Sequence, residues 1–397
     1  MPLDSSHISD IFADRGPARY FHGRTRILRN FNHFLELAKT RDGRTTMLIQ
    51  GAPGAGKTAL LEEMAIDAME KRWNVVEINL DDLYNPVHMA QTLGKPYVAR
   101  KQTSIKADAK LLGAERIKEI AGDSSVSHVL ENIDPRKGLL LILDEAQRVA
   151  DFSGAPEKKI QVSATLDKLH NGKLSHPVIL LAAGLGMSKA SFGDLGISRF
   201  RGGCFVELGA LGGEPERAVI RDWLVKEGGA KEDPTPWIDA IAQKTHGWPQ
   251  HISAYGDAAA KQIQYDDGEM TSEGLDVVYK LGTQRREAYY KQRAHDFSEE
   301  ERQSLANAFA DIPLEESTTR SEIVSFLAED FGAHQAETLF NEALQKGLLG
   351  ACDGRYGIPI PSMHTWLKDE YGRERIESPR QKRASRNWHE RNSGMER

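Results

Sequence analysis

The chain has 397 residues, of which 40% are apolar and 28% are charged. That balance is typical of globular proteins, and at roughly 100–200 residues per domain it predicts two or three domains. The formal net charge is −6, so the protein as a whole is not a polycation, and any contact with nucleic acid must come from a local basic patch.

The cysteines and the N-terminal stretch exclude several classes of protein. Cys204 and Cys352 are far apart and neither has a CxxC partner, which excludes a disulfide framework and favours two buried structural thiols. The first residues contain no basic or apolar signal-peptide region, and no stretch approaches the roughly 18 apolar residues of a membrane span. We therefore expect a cytoplasmic protein without a membrane partner.

The first half of the chain alternates strand and helix patterns. The apolar run in GLLLILDEAQ, at 138–147, does not alternate with polar residues, which is typical of a central strand covered on both faces of a parallel sheet. The alternation predicts an α/β, doubly wound parallel sheet over about 20–210. Residues 85–135 are mixed and mostly helical. The predicted elements are a helix at 24–40, strands at 45–50 and 74–80 with a helix at 57–73 between them, the strand within 138–147, a helix at 160–170, and strands at 176–184 and 203–208.

The second half has a different pattern. Residues 214–295 are predicted to be wholly helical, and 296–370 to form three short helices and then a hairpin turning at Asp353–Gly354. Helices followed by a two-stranded wing predict a winged-helix domain. The predicted division is an N-terminal arm at 1–20, the α/β domain at 21–210, a helical domain at 211–295, the winged helix at 296–370 and a basic, disordered tail at 371–397.

A glycine-rich stretch follows the first predicted strand. Residues 51–58, GAPGAGKT, fit the pattern GxxxxGK[ST], with a strand before them and a helix after them. Glycines let successive N–H groups curl around a phosphate, and the helix directs its positive end to the same place. Lys57 would reach the β- and γ-phosphates, and Thr58 would place its hydroxyl on Mg²⁺. The predicted nucleotide-binding residues of this loop are Gly51, Pro53, Gly54, Ala55, Gly56, Lys57, Thr58 and Ala59.

Two carboxylates follow the apolar strand. Asp144 would bind Mg²⁺ through its water shell, and Glu145 would polarise the attacking water. Adjacent carboxylates suit these two tasks because one is tied to the metal while the other faces the γ-phosphate. The alternative is an acidic strand end that is simply solvated. The metal ligands predicted are therefore Thr58 and Asp144.

Residues 48–61 and 139–147 resemble the Walker A and Walker B motifs of P-loop ATPases, and the DE form of the second resembles the AAA+ and STAND branches. The resemblance implies ATP/ADP and Mg²⁺ as cofactors, and ATP hydrolysis in which Lys57 and Glu145 are catalytic. YFHGR at 20–24 is similar to the short box that opens the nucleotide domain of initiator-type (origin-recognition-like) ATPases. In those families this box lies by the adenine, which implies that Gly23 contacts the nucleotide.

Two further segments share the resemblance. GISRF at 196–200 is similar to the SR element of initiator and clamp-loader ATPases, whose arginine reaches the γ-phosphate of a neighbouring subunit. Arg199 is then the catalytic finger and Arg201 the alternative, although a surface arginine paired with local acids fits equally well. HGWPQHISAYGDAAA at 246–260 resembles the GxP turn and helix of the STAND and initiator lid domain, which implies that Pro249 packs against the nucleobase.

The sequence departs from the family's pattern at both sensor positions. Where a second-sensor arginine is expected, the chain offers Gln250 and His251. Where the first sensor is expected, at the end of VILLAAG, 182–184 carry no Asn or Thr, and Ser188 is the nearest hydroxyl. The first-sensor position is occupied instead by Ala182, Ala183 and Gly184. The absence of both sensor residues favours a slow switch over a motor.

The predicted winged helix raises the question of the partner. Arg320, Lys346 and Arg355 could contact DNA, and the tail, with its Trp388, could add phosphate contacts. Winged helices also serve as protein-binding or structural modules. We predict an ATP-dependent switch that assembles with itself and acts on DNA. The alternative is a STAND-like signalling or defence ATPase that regulates a protein partner, and a P-loop kinase or small-molecule transferase ranks last.

Overall fold

The computed structural model describes residues 19–40, 44–95, 125–133, 135, 138–150, 155–310, 318–352 and 355–372. Its residues divide into two compact units. The first comprises Met1–Arg293 with Glu342–Cys352, and the second comprises Ala294–Asn341 with Asp353–Arg397. The division predicted from the sequence into an arm, three domains and a tail stays a prediction.

The first unit is built on a sheet of five strands in the order β2-β3-β4-β1-β5, and every neighbouring pair is parallel. The predicted doubly wound parallel α/β fold is therefore confirmed. Strands β3 and β4 are buried along their whole length, as expected for apolar runs with helices on both faces. The strands are β1 Thr46–Gly51, β2 Asn74–Ile78, β3 Leu139–Leu143, β4 Val178–Gly184 and β5 Phe205–Leu208.

Helices connect these strands and cover the sheet. Two of them differ from the predictions. The helix predicted at 160–170 begins earlier, at Pro156, because proline is well suited to the first helical position. The short helix Ser188–Gly193 has no apolar period long enough to predict it. The helices of this part of the chain are α1 Thr25–Lys39, α2 Lys57–Glu70, α3 Pro86–Leu93, α4 Val126–Glu131, α5 Pro156–His170 and α6 Ser188–Gly193.

The order of the strands brings the two predicted motifs to one edge of the sheet. Strand β4 lies between β1 and β3, with Gly184 opposite Gln50 and Ala182 opposite Leu143. Because all the strands are parallel, their carboxyl ends meet at the same edge. The glycine-rich loop after β1, the carboxylates after β3 and the loop after β4 are therefore neighbours.

A helical region with its own core follows β5, as predicted. Tyr255 is fully buried in it, and its hydroxyl lies 2.8 Å from the hydroxyl of Thr283. The buried Arg285 pairs with Asp257 at 2.7 Å. Its elements are α7 Gly213–Asp222, a π-helical turn Trp223–Glu227, α8 Thr235–Thr245, α9 Pro249–Tyr265 and α10 Ser272–Ala294.

In its described residues, the C-terminal segment holds four helices and three short strands. In the second unit, β6 pairs with β8 in antiparallel fashion, and Arg302 donates to the Tyr371 hydroxyl at 3.0 Å. The predicted hairpin turn at 353–354 lies outside the described residues. The fourth helix, at 361–371, was not predicted. The elements are α11 Glu299–Ala310, β6 Thr318–Thr319, α12 Arg320–Phe331, α13 Ala333–Lys346, β7 Gly350–Cys352, β8 Arg355–Gly357 and α14 Pro361–Tyr371.

Across the residues that the structure describes, no helix combines the length and the apolarity needed to cross a lipid bilayer.

Candidate nucleotide site

The glycine-rich loop passes from β1 directly into α2. Gly54 and Gly56 have φ values of 76° and 88°, a left-handed conformation that glycine adopts without steric cost. Gly56 is the residue before the first turn of α2. The loop therefore curls around the positive end of the helix, which is the geometry that binds anions.

Lys57 lies inside this loop. Its Nζ donates to the carbonyl oxygens of Gly51, at 2.9 Å, and Ala52, at 3.1 Å. Burial lowers the pKa of Lys57 to about 8, and the nearby charges of Asp144 and Glu145 oppose that shift. The ammonium is thus held where a phosphate chain in the loop would meet it, with two carboxylates close by.

Asp144 and Glu145 follow β3 at the same edge. Thr58 Oγ1 donates to Asp144 Oδ2 at 3.1 Å, so the two predicted metal ligands present adjacent oxygens. Glu145 has a φ of 57°, and its side chain is exposed. The structure therefore brings together Lys57, Thr58 and both carboxylates, as the motif spacing predicted.

The adjacent oxygens of Thr58 and Asp144 fit a magnesium ion. Mg²⁺ takes one or two protein oxygens and completes its octahedral shell with waters and substrate phosphates. Within the described ranges, no group of three or more His, Cys, Asp or Glu side chains could hold a metal ion by itself.

The end of β4 lacks the polar residue expected of a first sensor, and the structure places another polar residue there. Gln147 is buried, its Oε1 accepts from the Leu185 N–H at 3.0 Å, and its Nε2 donates to Glu145. The predicted hydroxyl, Ser188, donates instead to the Leu185 carbonyl at 2.7 Å. Sequence reasoning missed Gln147, although it stands only two residues after Glu145.

The turn that begins α9 lies against the glycine-rich loop. The Gln250 N–H donates to the Gly54 carbonyl at 3.2 Å, and Pro249 lies next to Gly56. The Trp248 side chain is 6% exposed, and its Nε1 lies 3.0 Å from the place where a Cβ on Gly54 would stand. Among the described residues this indole N–H has no hydrogen-bond partner. Pro249 is thus beside the loop, and its contact with a base stays a prediction.

An arginine from the end of α10 lies on the same side. The guanidinium of Arg293 stacks over the Tyr289 ring, 5.4 Å from its centroid. The positive charge of Arg293 contributes to the lowered pKa of Lys57. A Cβ on Gly54 would lie 3.4 Å from the Tyr289 hydroxyl, so the pair stands at the loop. Sequence reasoning missed Arg293 because nothing local marks it.

Other predicted residues lie elsewhere. Gly23, with a φ of 82°, packs against Pro215 at the start of α7. Arg199 is exposed, and its carbonyl oxygen is 3.0 Å from His170 Nε2, while Arg201 is half-buried. Burial raises the pKa of Cys204 to about 11, as expected of a structural thiol.

The predicted DNA-contacting residues have different surroundings. Arg320 forms an ion pair with Glu337 and stacks over Phe340, 5.3 Å from the ring centroid. Arg355 and Lys346 are exposed. Trp388 lies outside the described residues, as do 373–397 of the predicted tail, whereas Tyr371 is the last residue of α14.

Residues 20–170 match the family model described as the AAA ATPase domain. The match confirms the P-loop ATPase resemblance over that segment. None of the curated protein sequences matches the chain.

Two solved structures are similar to the chain at low sequence identity. The Walker-type ATPase PABY2304 of Pyrococcus abyssi is 13% identical, with a TM-score of 0.52, over 89% of this chain and 98% of that protein. The ORC2 protein of Aeropyrum pernix, in ADPNP–ADP complexes, is 13% identical, with a TM-score of 0.49, over 89% of this chain and 96% of that protein. The first likeness shows a shared fold and says nothing about activity.

Proposed function

Starting from the AAA ATPase domain in residues 20–170, we propose that this protein binds ATP together with Mg²⁺ and hydrolyses it to ADP and phosphate. One observation carries the proposal. Four side chains from two distant stretches of sequence meet at one edge of the sheet: Lys57, Thr58, Asp144 and Glu145. That arrangement suits phosphoryl transfer, in which catalysis depends on positioning and on compensating charge.

The helical region that follows β5, from α7 to α10, is here called the lid. The loop and the lid supply complementary groups to the triphosphate. The backbone N–H groups of 51–58 form an anion nest, and the Lys57 ammonium bridges the β- and γ-phosphates. The indole N–H of Trp248 and the guanidinium of Arg293, both beside Gly54 or Lys57, offer two further donors. Arg293 is well suited to a second-sensor role because guanidinium binds phosphate oxygens in a forked geometry.

The carboxylates divide the remaining work. Thr58 and Asp144 hold Mg²⁺, which when bound neutralises charge on the phosphates. Glu145 accepts a proton from the water that attacks the γ-phosphorus, as a carboxylate general base does. Its exposed side chain and its position next to Asp144 suit this task.

Glu145→Gln tests the chemical step. We expect hydrolysis to fall about 10²–10⁴-fold, the usual contribution of a general base, while Mg·ATP still binds, because the phosphate loop is unchanged. Phosphate release and calorimetry measure the two quantities. Glu157→Gln, at an exposed position in the first turn of α5, is the matched control. No heat on adding Mg·ATP to the wild type would refute the proposed function.

Self-assembly is the second part of the proposal. Arg199 is exposed, as an arginine that reaches a neighbouring subunit must be, and Arg201 is the alternative. We expect the mass of the protein to rise with a slowly hydrolysed ATP analogue. Arg199→Ala should hydrolyse poorly, and mixing it with Glu145→Gln should restore activity if the arginine acts in trans. An unchanged mass and no restoration would refute assembly through Arg199.

The partner proposed is DNA, contacted by the winged-helix domain at 296–370 and by the tail. The exposure of Arg355 supports it, and Arg320 forms an ion pair with Glu337. We expect ATP-dependent DNA binding that weakens with salt, because phosphate contacts release counterions. Co-purification with a protein and no effect of ATP on DNA affinity would instead favour the STAND-like signalling role.

A further inference from the structure

The buried amide of Gln147 connects the candidate base to the end of β4. Gln147 is 7% exposed. Its Nε2 donates to Glu145 Oε2, and its Oε1 accepts from the Leu185 N–H at 3.0 Å. Its own carbonyl oxygen accepts from the Ser191 hydroxyl at 2.9 Å. Gln147 is therefore held at its backbone and at both polar atoms of its side chain.

The orientation of this amide follows from its partners. The Leu185 N–H can only donate, so the amide oxygen must face it. The amide NH₂ is then left to face Glu145, where an ionised carboxylate can only accept. Rotating the amide by 180° would place two donors together and two acceptors together, so a single orientation satisfies both partners.

Close packing confines the same side chain. A Cβ on Gly184 would lie 2.5 Å from Gln147 Oε1 and 2.2 Å from Ser188 Oγ. The space around the amide is therefore already filled by β4 and the start of α6. A side chain held by packing and by hydrogen bonds can fix the direction of a neighbouring functional group.

We propose that Gln147 is a positioning residue, which orients the Glu145 carboxylate towards the attacking water and ties it to the loop after β4. The inference rests on the proposed ATP hydrolysis. Since β4 lies between β1 and β3, Gln147 attaches the base to the strand that separates the two nucleotide motifs. The amide of Gln147, which follows β3, thereby supplies the polar group that the end of β4 lacks.

Two substitutions separate positioning from simple structural support. Gln147→Glu keeps an oxygen for the Leu185 N–H but places an acceptor against Glu145. Gln147→Met removes both polar groups. Positioning predicts that Gln147→Glu lowers kcat about 10–100-fold, the usual effect of losing a residue that orients a ligand or base. The dissociation constant of a slowly hydrolysed ATP analogue should change less than about threefold, because ground-state binding does not involve Glu145.

The control is Gln161→Glu, the same chemical change at an exposed position of α5, which should match the wild type. A purely structural role predicts the opposite ranking: a near-wild-type Gln147→Glu and an impaired Gln147→Met with a lowered melting temperature. If Gln147→Glu fails to fold, Gln147→Asn, which is too short to reach both partners, should show the same loss of kcat.

Three results would overturn the inference. A Gln147→Glu rate within about twofold of the wild type would show that the base needs no amide. A faster variant would show that the amide restrains Glu145. A wild type that neither binds nor hydrolyses ATP would overturn the proposed function and, with it, this inference. The other two results would overturn only the inference and leave the proposed function intact.

Discussion

The phosphate loop at 51–58 and the lid contact made by Trp248, Pro249, Gln250 and Arg293 face the same place in two different ways. The loop works through its backbone, whose conformation is set by glycines spaced along a few residues. The lid acts on the loop through the side chains of Trp248, Pro249 and Arg293 and the backbone N–H of Gln250. These residues are separated from the loop by nearly 200 residues or more of sequence. A site formed by a loop of consecutive residues can be recognised from a sequence motif. A site formed by residues distant in sequence can be recognised only in the folded structure.

The largest expected effect on nucleotide binding lies on the loop side. Lys57→Ala should weaken Mg·ATP binding about 10–100-fold, because hydrogen bonds to charged groups contribute about 1.5–3 kcal/mol. Calorimetry measures the change. Lys173→Ala, which removes an exposed ion pair with Asp167, is the control. Equal affinity in the Lys57 variant would mean that the loop's amides suffice without the ammonium.

A substitution between the two regions tests their contact. Gly54→Ala would place a Cβ 2.8 Å from that of Gln250 at a φ of 76°, in a conformation that costs an alanine about 1–2 kcal/mol. We expect the lid to move off the loop, the melting temperature to fall, and nucleotide affinity to drop about tenfold, which is 1.4 kcal/mol. Gly193→Ala, where a Cβ meets nothing within 4 Å, should change neither quantity.

On the lid side, Arg293→Ala should weaken ATP binding about fivefold and ADP binding less, because the γ-phosphate carries the added charge. Arg293→Lys should recover only part of the loss, since lysine keeps the charge but not the planar fork that stacks on Tyr289. Competition binding with the two nucleotides measures the difference. Equal losses for ATP and ADP would place Arg293 away from the γ-phosphate.

The last effect concerns stability and not nucleotide binding, and it arises from His251 on α9. The ring is 1% exposed and its Nε2 lies 2.7 Å from the Tyr290 hydroxyl. Burial, followed by the charge of Arg286, lowers the pKa of His251 to about 3. The folded state therefore keeps the ring neutral while the unfolded chain binds a proton below about pH 6.5. The stability contributed is complete above that pH and is lost as the pH falls towards 3.

Urea denaturation of the wild type and His251→Gln, at pH 7.5 and pH 4.5, measures this loss. We expect the wild type to lose up to about 3 kcal/mol more than the variant, since each of the two pH units between about 6.5 and 4.5 adds up to about 1.4 kcal/mol. Parallel pH curves would mean that His251 is protonated in the folded protein.

The sequence was informative where structure is local. The parallel sheet, the loop at 51–58 and the carboxylates after β3 were predicted because each depends on a short pattern of apolar residues, glycines and charge. Gln147 and Arg293 were not predicted, because nothing in the sequence distinguishes them from other glutamines and arginines. Their importance depends on the residues that contact them in the folded protein. The helix Pro361–Tyr371 was also missed, although its proline in the first turn is a usual start signal.

The central position of β4 has a consequence for how this chain can vary. Two strand spacings of about 4.8 Å separate β1 from β3, so the distance between the loops that follow these strands is set by interstrand hydrogen bonds. Changes within either loop can alter chemistry but cannot widen that distance. A one-residue slip of β4 would turn every one of its side chains to the opposite face, so the spacing of the two loops depends on the register of the sheet.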